Sequence, residues 1–246
     1  MDNARIMLGR PTVFLGRRSY ILILSHMRSY SSLLSHILGS HRDISGYAEM
    51  HVSYKSPLAF LRLRSRVFRS LDCAEFGGFF VLDKVLHNEY TVPADVIEKK
   101  NVFPIFLVRA PRAALSSISN MGGPYSDHLF TSTYYADRLR ELSRMAQEMT
   151  TRGLLIKSED LLGATTRVLE GLEQSLGLRE PLTDSYRVFS QTGQRGRGDT
   201  SSAILEGRIV REPPPEPPEV EREALARGAR AYRRCLEVLE KTCITV

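Results

Sequence analysis

Cysteine is scarce: Cys73, Cys235 and Cys243 are the only three in 246 residues. Their odd number and wide spacing exclude a disulfide framework and a CxxC metal pair. A reducing cytoplasm is the compartment expected of such usage. No apolar run approaches the ~20 residues of a membrane-spanning helix. The opening stretch, MDNARIMLGRPTVFLGRRS, lacks the apolar core of a secretory signal, so export is not expected. The Walker pattern GxxxxGK[ST] is also missing, which disfavours an ordinary P-loop nucleotidase. No side-chain cluster has metal-ligand spacing, and no metal is expected. Charge is only mildly lopsided, at +6 net. That balance suits an anionic small molecule and equally suits plain solubility, and it does not call for nucleic acid. A hydrophobic content of 42% and a charged content of 25% are ordinary for a globular chain, and the length carries one sizeable core.

What is present is organised around Tyr20 to Ser40, YILILSHMRSYSSLLSHILGS. Tyr20-Ile-Leu-Ile-Leu is a short apolar run of the kind buried on both faces of a parallel sheet. A polar break follows, and from Ser32 the residues Leu33, Leu34, Ile37 and Leu38 recur at helical spacing, with Gly39 as the expected stop. Strand, tight loop and helix in succession aim backbone N–H groups, hydroxyls and Arg28 at the helix N-terminus, where an anion is the natural guest. A Ser-rich helix cap with no ligand has the same local pattern.

A second unit of this kind begins with Val102 to Val108, VFPIFLV. Pro104 argues against full pairing of its first half. The strand delivers Arg109-Ala-Pro-Arg, with Pro111 where a helix prefers to begin and Ser117 about two turns along. Arg109, by a bidentate fork, and Ser117, by its hydroxyl, suit one phosphate. Between the two units, Tyr47 to His51 reads as a second strand or its exit. Glu49 and His51 would face one side of an extended chain. A carboxylate beside an imidazole can serve as a general base; a surface Glu beside a helix-capping His explains the same residues.

The segment Arg28-Ser29-Tyr30-Ser31-Ser32-Leu33-Leu34 resembles the 5′-phosphosulfate loop of the sulfotransferases: a basic residue, Ser, Gly, two Ser/Thr and a bulky apolar residue. Tyr30 stands where the family usually has Gly. Because Tyr tolerates positive φ poorly, an ordinary right-handed conformation is expected there. The segment Arg109-x-Pro-Arg112 with Ser117 resembles the family's 3′-phosphate motif. Two such units in this order are far more specific than either alone. The resemblance implies a bacterial, soluble enzyme that uses 3′-phosphoadenosine 5′-phosphosulfate and releases adenosine 3′,5′-bisphosphate, with a small-molecule acceptor. Arg28, Ser29, Tyr30, Ser31, Ser32 and Leu33 would hold the 5′-phosphosulfate, and Arg109 and Ser117 the 3′-phosphate. Glu49 would be the base, with His51 the second choice. Asp-Lys-x-Leu-His-Asn resembles a segment of bacterial members and marks Lys84 and His87 as neighbours of the sulfuryl group; a salt-bridged Lys and a capping His are the structural alternative. A late basic loop over the nucleotide would contribute Arg195, Arg197 and Gly198.

The expected fold is α/β: a three-layer, mainly parallel central sheet flanked by helices, in the P-loop-kinase-like sulfotransferase fold, as one domain over 1–246. Residues 1–19 form a basic lead-in. Residues 190–218 form a flexible nucleotide-covering loop and a Pro-rich spacer. Residues 219–241 form a terminal helix that closes the core or mediates a homodimer, with Leu225, Ala229, Tyr232, Leu236 and Leu239 on one face. Lys55 to Ser70 reads as an amphipathic helix with solvent-facing Arg62, Arg64, Arg66 and Arg69. Ser119 to Asp127 reads as a Gly-rich lid, and Tyr134 to Thr150 as a long helix with an apolar stripe through Leu139, Leu142, Met145, Ala146 and Met149. Leu154 to Leu162, LLIKSEDLL, resembles the family's YEDL segment, with Ser158 for Tyr and a structural, capping role for Glu159 or Asp160. The competing readings are a P-loop kinase and a non-catalytic anion-binding module.

Overall fold

The apolar run after the lead-in forms the central strand β1, Ser19–Ser25, every residue of which is buried. The computed structural model describes residues 16–71, 76–98, 101–194, 201–211 and 220–246. Cys73, most of the lead-in, the PPPEPP spacer, Arg195, Arg197 and Gly198 lie outside the described residues. Among the described residues the sheet has six strands, all parallel, in the order β2-β3-β1-β4-β5-β6. The others are β2 (Ile44–Ser45), β3 (Phe80–Val85), β4 (Val102–Val108), β5 (Leu154–Lys157) and β6 (Ile244–Thr245). The helices are α1 (Ser31–Ser40), α2 (Leu58–Ser70), α3 (Ala94–Glu98), α4 (Pro111–Ser119), α5 (His128–Glu148), α6 (Ser158–Gly163), α7 (Thr165–Leu176) and α8 (Arg222–Thr242).

The period-two alternation of a strand sorts the core into two layers. Tyr20, Leu22 and Leu24 of β1 join Phe60 and Leu63 of α2, Leu115 of α4, Leu139 and Leu142 of α5 and Leu239 of α8. Ile21 and Ile23 face the opposite way, toward Leu34 and Leu38 of α1 and Val168 and Leu172 of α7. The helix after β1 therefore packs on one face and the helix after β4 on the other. Because β1 and β4 are neighbours, their loops leave the sheet in opposite directions and open a crevice at its carboxyl edge, where ligands of such sheets collect.

Some expectations are corrected in detail and others are borne out. Gly39 does not stop α1, which runs on to Ser40. A Cβ at Gly39 would stand 2.4 Å from the carbonyl of Gly46, so the glycine serves close approach of the helix to the chain entering the site. The second strand is shorter and earlier than Tyr47 to His51, which lies in its irregular exit. Asp83 and Lys84 lie inside β3. Pro104 pairs with Leu22 on the β1 side, while β5 joins β4 only from Ile105 onward, so the first half of β4 is paired on one side. Helix α5 begins ahead of the expected Tyr134, because the Asp127 side chain caps it through the Leu129 and Phe130 N–H groups at 2.8 and 3.2 Å. Arg64 is buried, donating to the Tyr20 hydroxyl at 2.8 Å, unlike a solvent-facing arginine. Helix α8 buries Ala224, Gly228, Cys235 and Leu239 and closes the core against α5 and α4. The chain after it adds β6 beside β5, a strand too short for its sequence to announce. No described helix is long and apolar enough to cross a membrane.

Candidate active site

The loop after β1 is built on two left-handed residues, Arg28 (φ 60°) and Tyr30 (φ 63°). The right-handed conformation expected of Tyr30 is therefore corrected. A left-handed non-glycine residue costs roughly 1–2 kcal/mol, and the Tyr30 side chain offsets this. Its hydroxyl accepts from Nη2 of Arg109 at 2.9 Å, and the guanidinium lies 4.1 Å from the centre of its ring. A glycine would ease the backbone and lose both contacts with Arg109.

Arg28 donates from Nε to the Ser117 hydroxyl at 2.9 Å, and Arg109 donates from Nη1 to the Arg28 carbonyl at 2.9 Å. The early loop and the mid-chain strand–helix unit thus meet at the β1/β4 crevice and bond to each other. Burial lowers the pKa of Arg109, against the nearby Tyr30 and Glu159; an arginine keeps its charge there nonetheless. The Tyr30 side chain makes no cap bond to the N-terminus of α1, where Ser31 and Ser32 stand and the first backbone N–H groups of a helix have no intrahelical acceptor. The Leu33 side chain packs in the core, so only its backbone can serve a ligand. The Ser29 hydroxyl is turned inward to Ser25 at 2.6 Å, and the Ser29 carbonyl accepts from Ser158 at 2.7 Å, which gives Ser29 a framework position. Glu159 accepts from the Ala110 N–H at 2.9 Å and so caps α4. Next to Arg109 and Tyr30 opens a cleft of about 940 Å3, lined also by Glu159, Thr165, Arg167 and Arg211.

On the other side of the loop lies Glu49. Its Oε1 is buried without a hydrogen-bond partner, 3.7 Å from Nδ1 of the half-exposed His51. Burial pushes the Glu49 carboxyl above the ordinary carboxylate range, against the pull of Lys84, the Leu86 N–H and Arg138. Arg66 bonds to the Met50 and His51 carbonyls at 2.5 and 2.8 Å and holds the turn in which His51 takes a φ of 52°. Lys84 is buried and donates to the Ser32 hydroxyl at 3.1 Å, which places it against the loop. His87 lies with its ring 5.8 Å from that of Tyr134, and burial lowers its pKa.

Beneath Glu49, Asp83 accepts from the Met50 and Lys84 N–H groups, both at 2.8 Å, and from the Tyr54 hydroxyl at 2.6 Å. Burial raises its carboxyl to about 6. The folded chain then holds this proton at pH values where the unfolded chain has lost it. The contribution favours folding at low pH and is lost as pH rises through about 6. Asparagine preserves the geometry, its oxygen accepting from both N–H groups and its amide donating to Tyr54. The stability of Asp83→Asn relative to wild type is expected to rise by about 2 kcal/mol between pH 4 and pH 7, read from urea unfolding at both values. A difference independent of pH would show that Asp83 is ionised throughout.

Four residues that sequence reasoning passed over complete the site. Arg138 is fully buried and donates to the Ser25 and Val85 carbonyls at 2.7 and 2.6 Å and to Asn88 at 3.0 Å, tying together the carboxyl ends of β1 and β3. The Tyr134 hydroxyl accepts from the Met27 N–H and donates to the Leu86 carbonyl, both at 2.9 Å. The Tyr135 hydroxyl donates to the Arg109 carbonyl at 2.6 Å. His26 accepts from the Arg109 N–H at 3.1 Å. A signal existed for two of these: Tyr135 and Arg138 each precede a member of the α5 apolar stripe, Leu139 and Leu142, by one helical turn. A charged residue in a buried stripe is the mark of a built-in polar network.

No family model matches the chain, and no curated protein matches it. Among solved structures it is similar to the sulfotransferase domain from the Synechococcus PCC 7002 olefin synthase. The likeness has a TM-score of 0.56 at 17% identity and covers 89% of this chain and 94% of that one. At that identity the likeness establishes the fold, which is that of a sulfotransferase domain: α/β, with a parallel sheet between layers of helices.

Proposed function

We propose that this chain is a single-domain, cytoplasmic sulfotransferase that moves the sulfuryl group of 3′-phosphoadenosine 5′-phosphosulfate to a hydroxyl or amine of a small-molecule acceptor. The observation that carries the reading is the joining of the two anion-binding units: Arg28 reaches Ser117, and Arg109 reaches the Arg28 carbonyl, both at 2.9 Å. One ligand with two phosphate-sized charges fits such a paired cradle better than two separate anions do.

In this reading the α1 N-terminus, Arg28, Ser31, Ser32 and Lys84 hold the 5′ end of the nucleotide. Arg109 and Ser117 hold its 3′-phosphate. Its adenosine lies in the cleft beside Tyr30 and Arg109, whose volume of about 940 Å3 falls in the range of small-molecule sites. When bound, the nucleotide supplies an activated sulfuryl group: the acceptor's oxygen or nitrogen bonds to sulfur as the bond from sulfur to the 5′-phosphate oxygen breaks. Arg28, Lys84 and the helix N-terminus offset the charge that gathers on that leaving oxygen, as positioned donors do in the related phosphoryl transfers. Glu49 takes the acceptor's proton. Its carboxyl, raised by burial, and its orphan Oε1 suit a general base, and His51, 3.7 Å away, stands within reach to relay the proton outward.

Thermal-shift titration separates this reading from a kinase. Adenosine 3′,5′-bisphosphate is expected to stabilise the protein, and ATP with magnesium to do so much less. The reverse order would overturn the reading. Binding of the bisphosphate without sulfate transfer, in a radiolabel screen across sugars, phenols, lipids and peptides, would reduce the chain to an anion-binding module.

A further inference from the structure

The two strand–helix units are also joined below the Arg28 and Arg109 side chains: the Ser25 hydroxyl links Ser29 to the Leu107 carbonyl, and the His26 ring holds the Arg109 backbone itself. His26 follows β1 directly and is completely buried. Its Nδ1 lies 2.8 Å from the Met27 carbonyl, which can only accept, so the ring proton sits on Nδ1. Nε2 is thereby left as an acceptor, and the Arg109 N–H donates to it at 3.1 Å. On the far side of the same residue the Tyr135 hydroxyl donates to the Arg109 carbonyl, and the Tyr135 ring meets the His26 ring edge-on with centroids 4.8 Å apart. The two peptide groups flanking the Arg109 Cα are therefore held from two elements, the N–H by His26 at the exit of β1 and the carbonyl by Tyr135 of α5, while the Arg109 side chain reaches up to Tyr30 and the Arg28 carbonyl.

Resting on the sulfotransferase reading, we propose that His26 is a positioning residue that sets the separation between the 5′ and 3′ phosphate cradles. It touches neither phosphate in the proposed pose; it fixes the backbone of Arg109 relative to the loop that Arg28 belongs to. The ring is suited to this as a permanent acceptor. Burial first, then the charges of Arg138 and Arg109, hold its pKa down to about 4, so the ring stays neutral and Nε2 stays open to the Arg109 N–H. A misplaced cradle is felt by a ligand that must fill both sites at once and little by one that fills either alone.

The test compares two polar substitutions that differ in one hydrogen bond. Gln can place its oxygen where Nε2 stands and accept from the Arg109 N–H. Asn can still donate to the Met27 carbonyl but is too short to reach Arg109. Kd values are measured by calorimetry for adenosine 3′,5′-bisphosphate, 3′-AMP and 5′-AMP. His26→Gln is expected to stay within about threefold of wild type for all three. His26→Asn is expected to lose roughly tenfold or more on the bisphosphate, the worth of one buried hydrogen bond left unmade, and under threefold on each monophosphate. An equal loss on all three ligands, or no difference between Asn and Gln, overturns the role of His26 while leaving the proposed function standing. A wild-type protein that binds none of the three overturns the function and the role together. A readout independent of folding in the variants is the 15N shift of the His26 ring at neutral pH: a proton on Nδ1 agrees with the proposal, and a proton on Nε2 defeats it.

Discussion

Arg109→Ala should weaken binding of adenosine 3′,5′-bisphosphate by about a hundredfold to a thousandfold, in line with truncating one partner of a buried, hydrogen-bonded charge pair. The side chain is buried and donates to the Arg28 carbonyl and the Tyr30 hydroxyl while lying over the Tyr30 ring. In the proposed complex it also faces the 3′-phosphate. Arg109→Lys should recover little of the loss, because an ammonium cannot reproduce a planar fork that serves several acceptors at once. Adenosine 5′-phosphosulfate, which lacks the 3′-phosphate, is the control. Its affinity should fall far less, since it forgoes only the support that Arg109 gives to the loop. Equal losses for the two ligands would move the 3′-phosphate to other residues and leave Arg109 as a strut of the loop.

Glu49→Gln should lower kcat by about a hundredfold to ten-thousandfold, the range for removing a positioned general base, and change nucleotide affinity little. The neutral amide keeps the size of the carboxyl. In wild type, burial holds the carboxyl above its ordinary range. The group gains basicity as pH rises through its raised pKa, so kcat should climb on the acid side and the climb should vanish in the variant. Full turnover in Glu49→Gln with nucleotide bound would place the base elsewhere, with His51 and then Lys84 next in position. Lys84→Ala would act differently. Its ammonium touches Ser32 of the loop, so both affinity and rate should fall.

The parts of this site that could be read from the chain are those whose information is local. The β1 run, the Ser cluster, Arg109, Pro111 and Ser117 announce themselves within one strand–helix unit, because a parallel strand's apolarity and a helix start are short-range patterns. Glu49 was legible only as a carboxylate after a second strand. The strand proved to be two residues, Ile44–Ser45, and an irregular exit held by Arg66 and Asp83 carries Glu49 to the loop. Tyr30 read as a misfit, because the contact that offsets its left-handed backbone comes from a residue far along the chain. His26, Tyr134 and Arg138 look ordinary in sequence; each acquires its role from a backbone carbonyl or N–H contributed by another element.

By itself the sequence determined a parallel α/β sheet and two strand–loop–helix units, each encoded by periodicity, turn chemistry and a basic residue at a strand end. Only the tertiary structure decided that the two units share one crevice, that Glu49 is desolvated beside Lys84, and that His26 and Arg138 brace the strand ends. The physical reason is range. Periodicity and capping act over a few residues, whereas burial, a shifted pKa and the partner of a buried polar group depend on which distant elements the fold brings together.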